Sequence, residues 1–283
     1  MKAKLLTLFS SLSLIFLFSC SSDSDNDNNA EDQNVAYIKS YKTTTSPTPS
    51  DYDAFYEYSN GYLIKGTGYN WFSGTFEYDN SGKLIKRQMG DGEYLYQYDS
   101  KNRLIKQSKT GSQDNITLSY GSNKITISNT YNYNGGNKYS EISDIYLDDK
   151  GRIIRVKKLT PTTTYTSMAE EYLYDSNNNI TQITYKENNY NYPDYVVRFQ
   201  YDDKKNPFYY SFKKLYKSVY YLECRYGIPN YKFTGITPNN MIVYGSATYD
   251  HIYNSAGYPV SWLNTYENGG SAPATANYTV EYY

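Results

Sequence analysis

The chain has 283 residues, 39 of them tyrosine, and it carries 28 basic and 29 acidic side chains for a formal net charge of -1 at pH 7. That balance excludes the strong basic excess that a nucleic-acid-binding protein normally shows. Tyrosine favours strands, and good helix formers such as methionine, present four times, are scarce. The composition therefore favours sheet over helix.

The chain opens with a basic leader and an apolar run. Lys2 and Lys4 precede an almost unbroken apolar stretch from Leu5 to Phe18, whose length as a helix, about 21 Å, is less than the ~30 Å hydrocarbon core of a bilayer. This order is typical of a signal peptide and not of a spanning helix. The following LFSC resembles the lipobox of bacterial lipoproteins, which implies cleavage before Cys20 and lipidation of that cysteine. An ordinary secretory signal is the alternative.

A polar segment, SSDSDNDNNAEDQN, follows the cysteine. It holds no aromatic or β-branched side chain, so it cannot bury enough apolar surface to fold. Its alternating aspartates begin like a calcium loop, but positions six and twelve of that loop hold Asn28 and Asn34 instead of Gly and Glu. We therefore expect a signal peptide at 1–19, a lipidated cysteine with an acidic tether at 20–34, and one folded domain at 35–283.

One phrase recurs along the domain. FEYDNSGKLIKRQ begins at Phe76, YQYDSKNRLIKQ begins at Tyr96, and weaker copies continue toward the C-terminus. Such a period marks a repeat architecture. In each copy two aromatic residues two apart project from one face, an aspartate opens a type I turn, and Gly or Asn takes the left-handed position that the turn requires. The predicted turn positions are Asp79, Gly82, Asp99, Asn102, Asp148, Gly151, Asp175, Asn178, Asp202 and Gly257.

Turn signals between the hairpins join them into an antiparallel meander of about sixteen or more strands. Strand twist accumulates, so an open sheet beyond roughly ten strands curls or splits. We expect an all-β domain that forms a strongly curled sheet or an open barrel-like roll, with a buried face rich in tyrosine and no helix. Pro207 and Pro259 replace aliphatic residues of other copies, which predicts edge or irregular strands there.

The unit Tyr-x-Tyr-Asp-x-x-Gly-Arg-Leu resembles the YD repeat of Rhs-type proteins, best at residues 76–85, 96–105 and 172–183. The C-terminal segments YDDKKNPF, TPNNM and YNSAGYPV are similar to a family of Bacteroidota lipoproteins of unknown function. The resemblance implies a β-hairpin repeat fold and an outer-membrane lipoprotein. It brings no catalytic residues with it.

The residues that could carry chemistry are few. His251 is the single histidine and occupies the aromatic position of a repeat, while Cys224 has no partner once Cys20 carries lipid, so we expect a buried strand thiol. Glu57 and Glu77 occupy one repeat position that other copies fill with Gln, which predicts solvated surface and not the paired carboxylates of a glycosidase. We expect that the protein is not an enzyme and that it binds no cofactor and no metal.

One aromatic cluster breaks the repeat pattern. GYNWFSG places Tyr69, Trp71 and Phe72 between glycines, and exposed flat aromatic rings are surfaces on which sugars stack, so these three are the candidate ligand contacts. The alternative, which we favour for Trp71, is that its ring covers the open N-terminal end of the sheet, since single apolar surface residues usually need no functional explanation.

These observations predict a non-enzymatic, lipid-anchored β-repeat protein of the outer membrane. We expect it at the cell surface, with a periplasm-facing location as the alternative. Its monomeric domain would bind an extended glycan or protein and no nucleic acid. A structural or envelope-assembly component is the second hypothesis, and a polysaccharide-active hydrolase is the third.

Overall fold

The computed structural model describes residues 35–46, 51–68, 72–133, 137–159, 168–187, 194–225, 227–228, 236–268 and 271–283. Cys20 and the segments predicted before the domain lie outside these ranges. Within them the chain forms β-strands and one long helix. The strands are β1 (Ile38–Ser46), β2 (Asp51–Ser59), β3 (Tyr62–Gly68), β4 (Gly74–Tyr78), β5 (Leu84–Met89), β6 (Gly92–Tyr98), β7 (Leu104–Lys109), β8 (Asn115–Tyr120), β9 (Lys124–Tyr133), β10 (Asn137–Leu147), β11 (Ile153–Lys158), β12 (Met168–Tyr174), β13 (Ile180–Glu187), β14 (Tyr195–Lys205), β15 (Asn239–Tyr244), β16 (Ala247–Tyr253), β17 (Pro259–Asn268) and β18 (Ser271–Tyr282), and the helix, α1, is Pro207–Glu223.

The predicted all-β antiparallel meander is confirmed, and the sheet is closed. Each strand pairs antiparallel with the next strand in the chain, and β18 returns to pair with β1 along a ladder that includes Tyr41 opposite Val280 and Thr45 opposite Ala276. Closure removes both sheet edges, which would otherwise present unpaired backbone groups. All turns that follow even-numbered strands therefore lie at one end, called here the turn end, and the other connections lie at the opposite loop end.

Each Tyr-Asp hairpin carries a β-bulge. Glu77 pairs with Lys86 and Tyr78 pairs with Leu84, so Ile85 is an extra residue on the return strand. A bulge increases the local twist and bends the strand, which supports the curvature that closure requires. Leu84 is fully buried while Ile85 is 39% exposed. The same shift leaves an extra residue at Ile64, Ile105, Ile154, Thr181 and Val260.

The second tyrosine of a repeat ties its hairpin to the preceding one. The Tyr98 hydroxyl donates to the backbone carbonyl of Leu84, the first residue of the preceding return strand, at 2.7 Å. The same bond joins Tyr78 to Leu63, Tyr120 to Leu104, Tyr174 to Ile153, Tyr201 to Ile180 and Tyr282 to Pro259, at 2.5 to 3.0 Å. These side-chain bonds join neighbouring hairpins, in addition to the backbone hydrogen bonds between the strands.

The turns have a common geometry. Asp79 Oδ1 accepts from the backbone N–H groups of Ser81 and Lys83 at 2.9 and 3.0 Å, and Gly82 has a φ of 80°. The corresponding carboxylates accept in the same way at Asp99, Asp148 and Asp175, and the left-handed conformation recurs at Asn102, Gly151, Asn178 and Gly257. Two copies differ. Asn254 opens the turn that Gly257 ends, and the segment after Asp202 leads into α1.

Helix α1 contradicts the expectation of no helix and of an irregular strand at Pro207. Asn206 caps the helix, with its side chain accepting from Phe208 N at 3.0 Å, and Pro207 occupies the first turn, where its missing N–H costs nothing. The buried residues Phe212, Leu215, Tyr216, Val219 and Leu222 recur at helical spacing on one face. A capped amphipathic helix therefore forms inside a tyrosine-rich segment.

The helix lies across the turn end of the closed sheet. Its Ser211 and Ser218 hydroxyls accept from the backbone N–H groups of Ile38 and Leu84 at 3.0 and 3.2 Å. Lys214 donates to the Asn60 carbonyl at 2.9 Å, and Tyr221 donates to the Gly151 carbonyl at 3.0 Å. Because these partners come from four separate parts of the sheet, α1 covers the mouth and packs its apolar face inward.

Removal of one inter-hairpin hydroxyl tests the role of the repeat tyrosine. Tyr98→Phe deletes the bond to Leu84 and leaves that carbonyl without its donor, so the free energy of unfolding should fall by about 1 kcal/mol. Urea denaturation of the purified chain measures the loss. Tyr195→Phe is the matched control, since Tyr195 is 66% exposed, and it should change stability by less than about 0.5 kcal/mol. Equal stability of the two variants would contradict the assignment.

Candidate functional site

The predicted aromatic contacts are only partly within the described residues. Tyr69 and Trp71 lie outside them. Phe72 is half-buried, and its ring stacks on Phe212 of α1 with centroids 3.8 Å apart and an interplanar angle of 15°. The Tyr216 ring of the same helix meets Phe72 edge-on at 6.0 Å. Phe72 therefore packs between the sheet and the helix.

Cys224 does not lie in a strand, contrary to expectation. It caps the C-terminus of α1, where its backbone N–H bonds to the carbonyls of Tyr220 and Tyr221 at 3.1 and 3.2 Å, and it is 1% exposed. Helix formation over residues 207–223 explains the difference, because it replaces the strand that the tyrosines suggested. The buried thiol fills space at the helix end.

Glu57 and Glu77 occupy the outer face of the sheet. Glu57 pairs with Lys65 at 2.8 Å and Glu77 pairs with Lys86 at 2.7 Å, and both carboxylates are more than half exposed. Exposed pairs of this kind contribute little to stability. The outer wall at these positions is therefore a charged, water-facing surface.

His251 lies in the aromatic slot that its repeat position predicts. Its ring lies against Tyr253 and Trp262, with centroid separations of 5.8 and 5.6 Å. Burial lowers the pKa of His251 below its ordinary value, so the imidazole is neutral at pH 7. Within the described ranges, no group of three His, Cys, Asp or Glu side chains is arranged to hold a metal, and no helix is long and apolar enough to cross a membrane.

The inner face of the sheet carries a group of tyrosines on the strands from β13 to β18. Tyr185 of β13, Tyr244 of β15, Tyr249 of β16 and Tyr278 of β18 are each half-buried and pack against the hydrophobic core. We call these four residues the tyrosine wall. The strand register relates three of them: Tyr249 lies two residues past Ala247, which pairs with Tyr244, and its partner Asn264 pairs with Ala276, two residues from Tyr278. The wall thus crosses several neighbouring strands.

Aromatic rings on the adjacent strands pack beside Tyr278 on the same face of the sheet. Trp262, 9% exposed, stacks on Tyr278 with centroids 5.0 Å apart and an interplanar angle of 11°. Tyr41 stacks on both Trp262 and Tyr278, at 5.9 and 5.8 Å. Offset stacks of this kind favour one ring orientation. The wall rings are consequently held in place before any ligand arrives.

The phenol groups of the wall stay protonated over the physiological range. Burial, followed by the neighbouring Tyr278 and Tyr244, raises the pKa of Tyr249 to about 12. Burial also raises the pKa of Tyr278 and of Tyr185 above the ordinary tyrosine value. A neutral phenol can donate one hydrogen bond and accept others. The wall therefore offers uncharged donors beside aromatic faces.

Asn264 adds a polar group to the wall. It lies directly across the strand pair from Tyr249. Its carbonyl oxygen is buried and finds no hydrogen-bond partner among the described residues. An unsatisfied buried acceptor typically costs 1–3 kcal/mol and calls for an explanation.

Glu170 lies at the edge of the wall, opposite Tyr185 in the β12–β13 ladder. Its carboxylate accepts from the Tyr172 hydroxyl, which in turn accepts from Ile228 N at 2.8 Å. Burial raises the pKa of Glu170 above its ordinary value. The group is a negatively polarised neighbour of the wall.

The sequence contained a signal for this site that was not used. Tyr249, His251 and Tyr253 alternate along β16 and so share one face. Which face becomes concave depends on closure of the sheet, and which part of that face stays accessible depends on where α1 packs. Neither is readable from a single hairpin.

Comparison with known proteins does not assign a function to this chain. No family model matches the chain, and no curated protein matches it. It is similar to a porin-like protein from Bacteroides uniformis at 13% identity and a TM-score of 0.32, over 86% of this chain and 98% of that one. It is also similar to a porin-like protein from Bacteroides vulgatus, at 12% identity and a TM-score of 0.39, over 88% of this chain and 99% of that one. The similarity to the TcdB2-TccC3-Cdc42 structure has 12% identity and a TM-score of 0.36, over 83% of this chain and 14% of that one. TM-scores this low carry no argument about function.

The raised pKa of Glu170 makes a pH-dependent prediction. The folded state holds this proton more tightly than the unfolded chain, so the associated stability is present below the unfolded pKa and is lost as pH rises through the folded pKa. Glu170→Gln, which mimics the protonated form, should therefore raise the free energy of unfolding at pH 7 and leave it nearly unchanged at about pH 4.

Urea denaturation between pH 4 and pH 8 measures this difference. Glu171→Gln is the matched control, because Glu171 is 40% exposed and faces Arg155. A Glu170→Gln variant that is no more stable than the unsubstituted chain at pH 7 would contradict the burial argument.

Proposed function

We propose that this chain is a non-enzymatic, lipid-anchored protein of the cell envelope that binds a neutral saccharide on the tyrosine wall. The observation that carries the proposal is the wall itself, four half-buried tyrosines on the concave face of a closed sheet. Binding sites are concave, largely aromatic or apolar, and carry a few fixed polar groups. The wall and Asn264 have this composition.

The chemistry of the wall fits a sugar. A pyranose ring presents apolar C–H faces and equatorial hydroxyls, and a tyrosine presents an aromatic face and one hydroxyl. The rings at Tyr278 and Trp262 are already stacked, so little conformational entropy is lost when a ligand binds. The Asn264 carbonyl oxygen supplies an acceptor that the protein leaves unfilled.

The charge of the wall favours a neutral saccharide over an acidic one. The four tyrosines and Asn264 are uncharged at pH 7, and Glu170, which lies opposite Tyr185, would repel a carboxylate or sulfate. A protein ligand with an exposed loop is the alternative occupant. Such a ligand would contact the same neutral tyrosine rings.

Attachment to the membrane is part of the proposal. The lipobox-like LFSC and the polar tether support lipidation at Cys20, and with it an outer-membrane location at the cell surface. Metabolic labelling with palmitate tests the anchor. We expect label on the chain and none on a Cys20→Ala variant, and equal labelling of both would contradict lipidation at this residue.

Isothermal titration of the purified chain against neutral hexasaccharides of glucose, mannose and xylose tests the binding site. We expect saturable binding of at least one, and Tyr249→Ala with Tyr278→Ala should weaken it about tenfold or more, since loss of two stacking rings exceeds the 1.4 kcal/mol that tenfold represents. Tyr139→Ala, an exposed tyrosine outside the wall, is the control and should leave the affinity unchanged.

Two outcomes would contradict the site. The double variant could bind as tightly as the unsubstituted chain, or none of the neutral saccharides could bind. In the second case, crosslinking in cells to one stoichiometric protein partner would favour the envelope-assembly hypothesis.

A further inference from the structure

We infer that the turn end of the sheet is a membrane-facing surface, on which the outer face of α1 and the adjacent turns contact anionic lipid headgroups. This inference rests on the proposed lipid anchor and adds an orientation to it. The loop end would then point away from the bilayer.

The chain enters the domain at the turn end. Ile38 begins β1 beside α1, with its N–H bonded to Ser211, and Tyr283 N donates to the Tyr37 carbonyl at 3.1 Å. A lipid on Cys20 is joined to this end through residues 21–34. That segment can extend to about 50 Å at most, so it limits the distance to the bilayer without choosing an orientation. The orientation of the domain must therefore be inferred from the chemistry of its surface.

The outer face of α1 is basic. Phe212, Leu215 and Val219 point into the sheet, while Lys213 and Lys217, four residues apart, are exposed on the other side. Residues with this spacing lie on the same helix face. Because the apolar face closes the mouth, the lysines point out of the turn end.

Two neighbouring turns add exposed lysines to this surface. Lys101 lies in the turn between β6 and β7, and Lys150 lies in the turn between β10 and β11. The Tyr221 side chain of α1 contacts the second of these turns at Gly151, so helix and turn form one surface. We call Lys101, Lys150, Lys213 and Lys217 the lysine face.

Two aspartates of these turns, Asp99 and Asp148, are paired within their own turns. Asp99 Oδ1 accepts from the backbone N–H groups of Lys101 and Arg103 at 2.9 Å each, and its Oδ2 holds the Arg103 guanidinium at 2.7 Å. Asp148 binds its own turn and Arg152 in the same way. Their charge is compensated within each turn. Of the exposed carboxylates, Asp203 pairs with Lys204 at 2.9 Å and Asp149 lies beside Lys150.

Tyrosines complete an interfacial composition. Tyr209 and Tyr210 at the start of α1 are half-buried and lie edge to face, with centroids 5.1 Å apart. Tyrosine is enriched where one end of a side chain meets apolar surface and the other meets water, as at a membrane interface. Each lysine near an anionic leaflet contributes about 1 kcal/mol, and the effect decays within a Debye length of ~8 Å at physiological salt.

The test uses the mature lipoprotein reconstituted in two nanodiscs, one of phosphatidylcholine alone and one with about a third phosphatidylglycerol. Lysine acetylation rates are read by mass spectrometry. On the anionic disc we expect the lysine face to react about fivefold more slowly, the factor that ~1 kcal/mol gives, and to recover its rate in 1 M salt. Lys65, which pairs with Glu57 on the outer wall, is the internal control and should react equally on both discs.

A double variant distinguishes protection of the lysines by electrostatic attraction to the bilayer from protection caused only by the nearby lipid anchor. Lys213→Gln with Lys217→Gln should restore the acetylation of Lys101 and Lys150 on the anionic disc. Equal rates on the two discs, or equal protection of Lys65, would overturn the inference while the anchor stands. A chain that co-elutes with neither disc would overturn the anchor and the inference together.

Discussion

At six steps around the sheet, a tyrosine hydroxyl donates to a backbone carbonyl of the preceding hairpin, and the closed architecture depends on these bonds. The carbonyl of Leu84 lies at a bulge, where the strand ladder is interrupted and a backbone group would lack a partner. Tyr98 supplies the donor. Because the same geometry recurs in six hairpins, the bulge can supply curvature without leaving unpaired carbonyls. The repeat is therefore a unit for bending a sheet as much as for extending it.

Closure of the sheet creates two different ends and two different inner surfaces. At the turn end, α1 fills the mouth, and its Phe212 ring contacts Tyr56 of β2 and Phe72 of the β3–β4 connection. On other strands of the same inner face, the tyrosines of the wall stay half-buried. One face of the sheet thus serves as a packed core in one part and as a candidate binding surface in another.

The local chemistry of the repeat could be predicted from sequence, and the long-range arrangement could not. An aspartate that accepts from its own turn and a left-handed Gly or Asn are decided within five residues, so Asp79 and Gly82 were recognisable. Closure depends on β1 meeting β18 across nearly the whole domain, and no local pattern encodes that contact. The aromatic pattern at Phe72 likewise did not show that its ring faces a helix 140 residues away.

The helix was missed for a physical reason. Tyrosine has only moderate helix propensity and favours strands, so no helix was expected in the segment YYSFKKLYKSVYYLE. The Asn206 cap followed by Pro207 was the signal that favours a helix start. Both the wrong strand assigned to Cys224 and the missed plug at the turn end follow from that one decision.

The measurement that tests the central claim most directly is the emission of Trp262 during saccharide binding. The chain has two tryptophans, so Trp71→Phe leaves Trp262, which stacks on Tyr278, as the single reporter. If the tyrosine wall is the binding site, a neutral saccharide that binds by calorimetry will change the Trp262 emission with the same saturation curve. Calorimetric binding with unchanged Trp262 emission would place the ligand elsewhere and contradict the account.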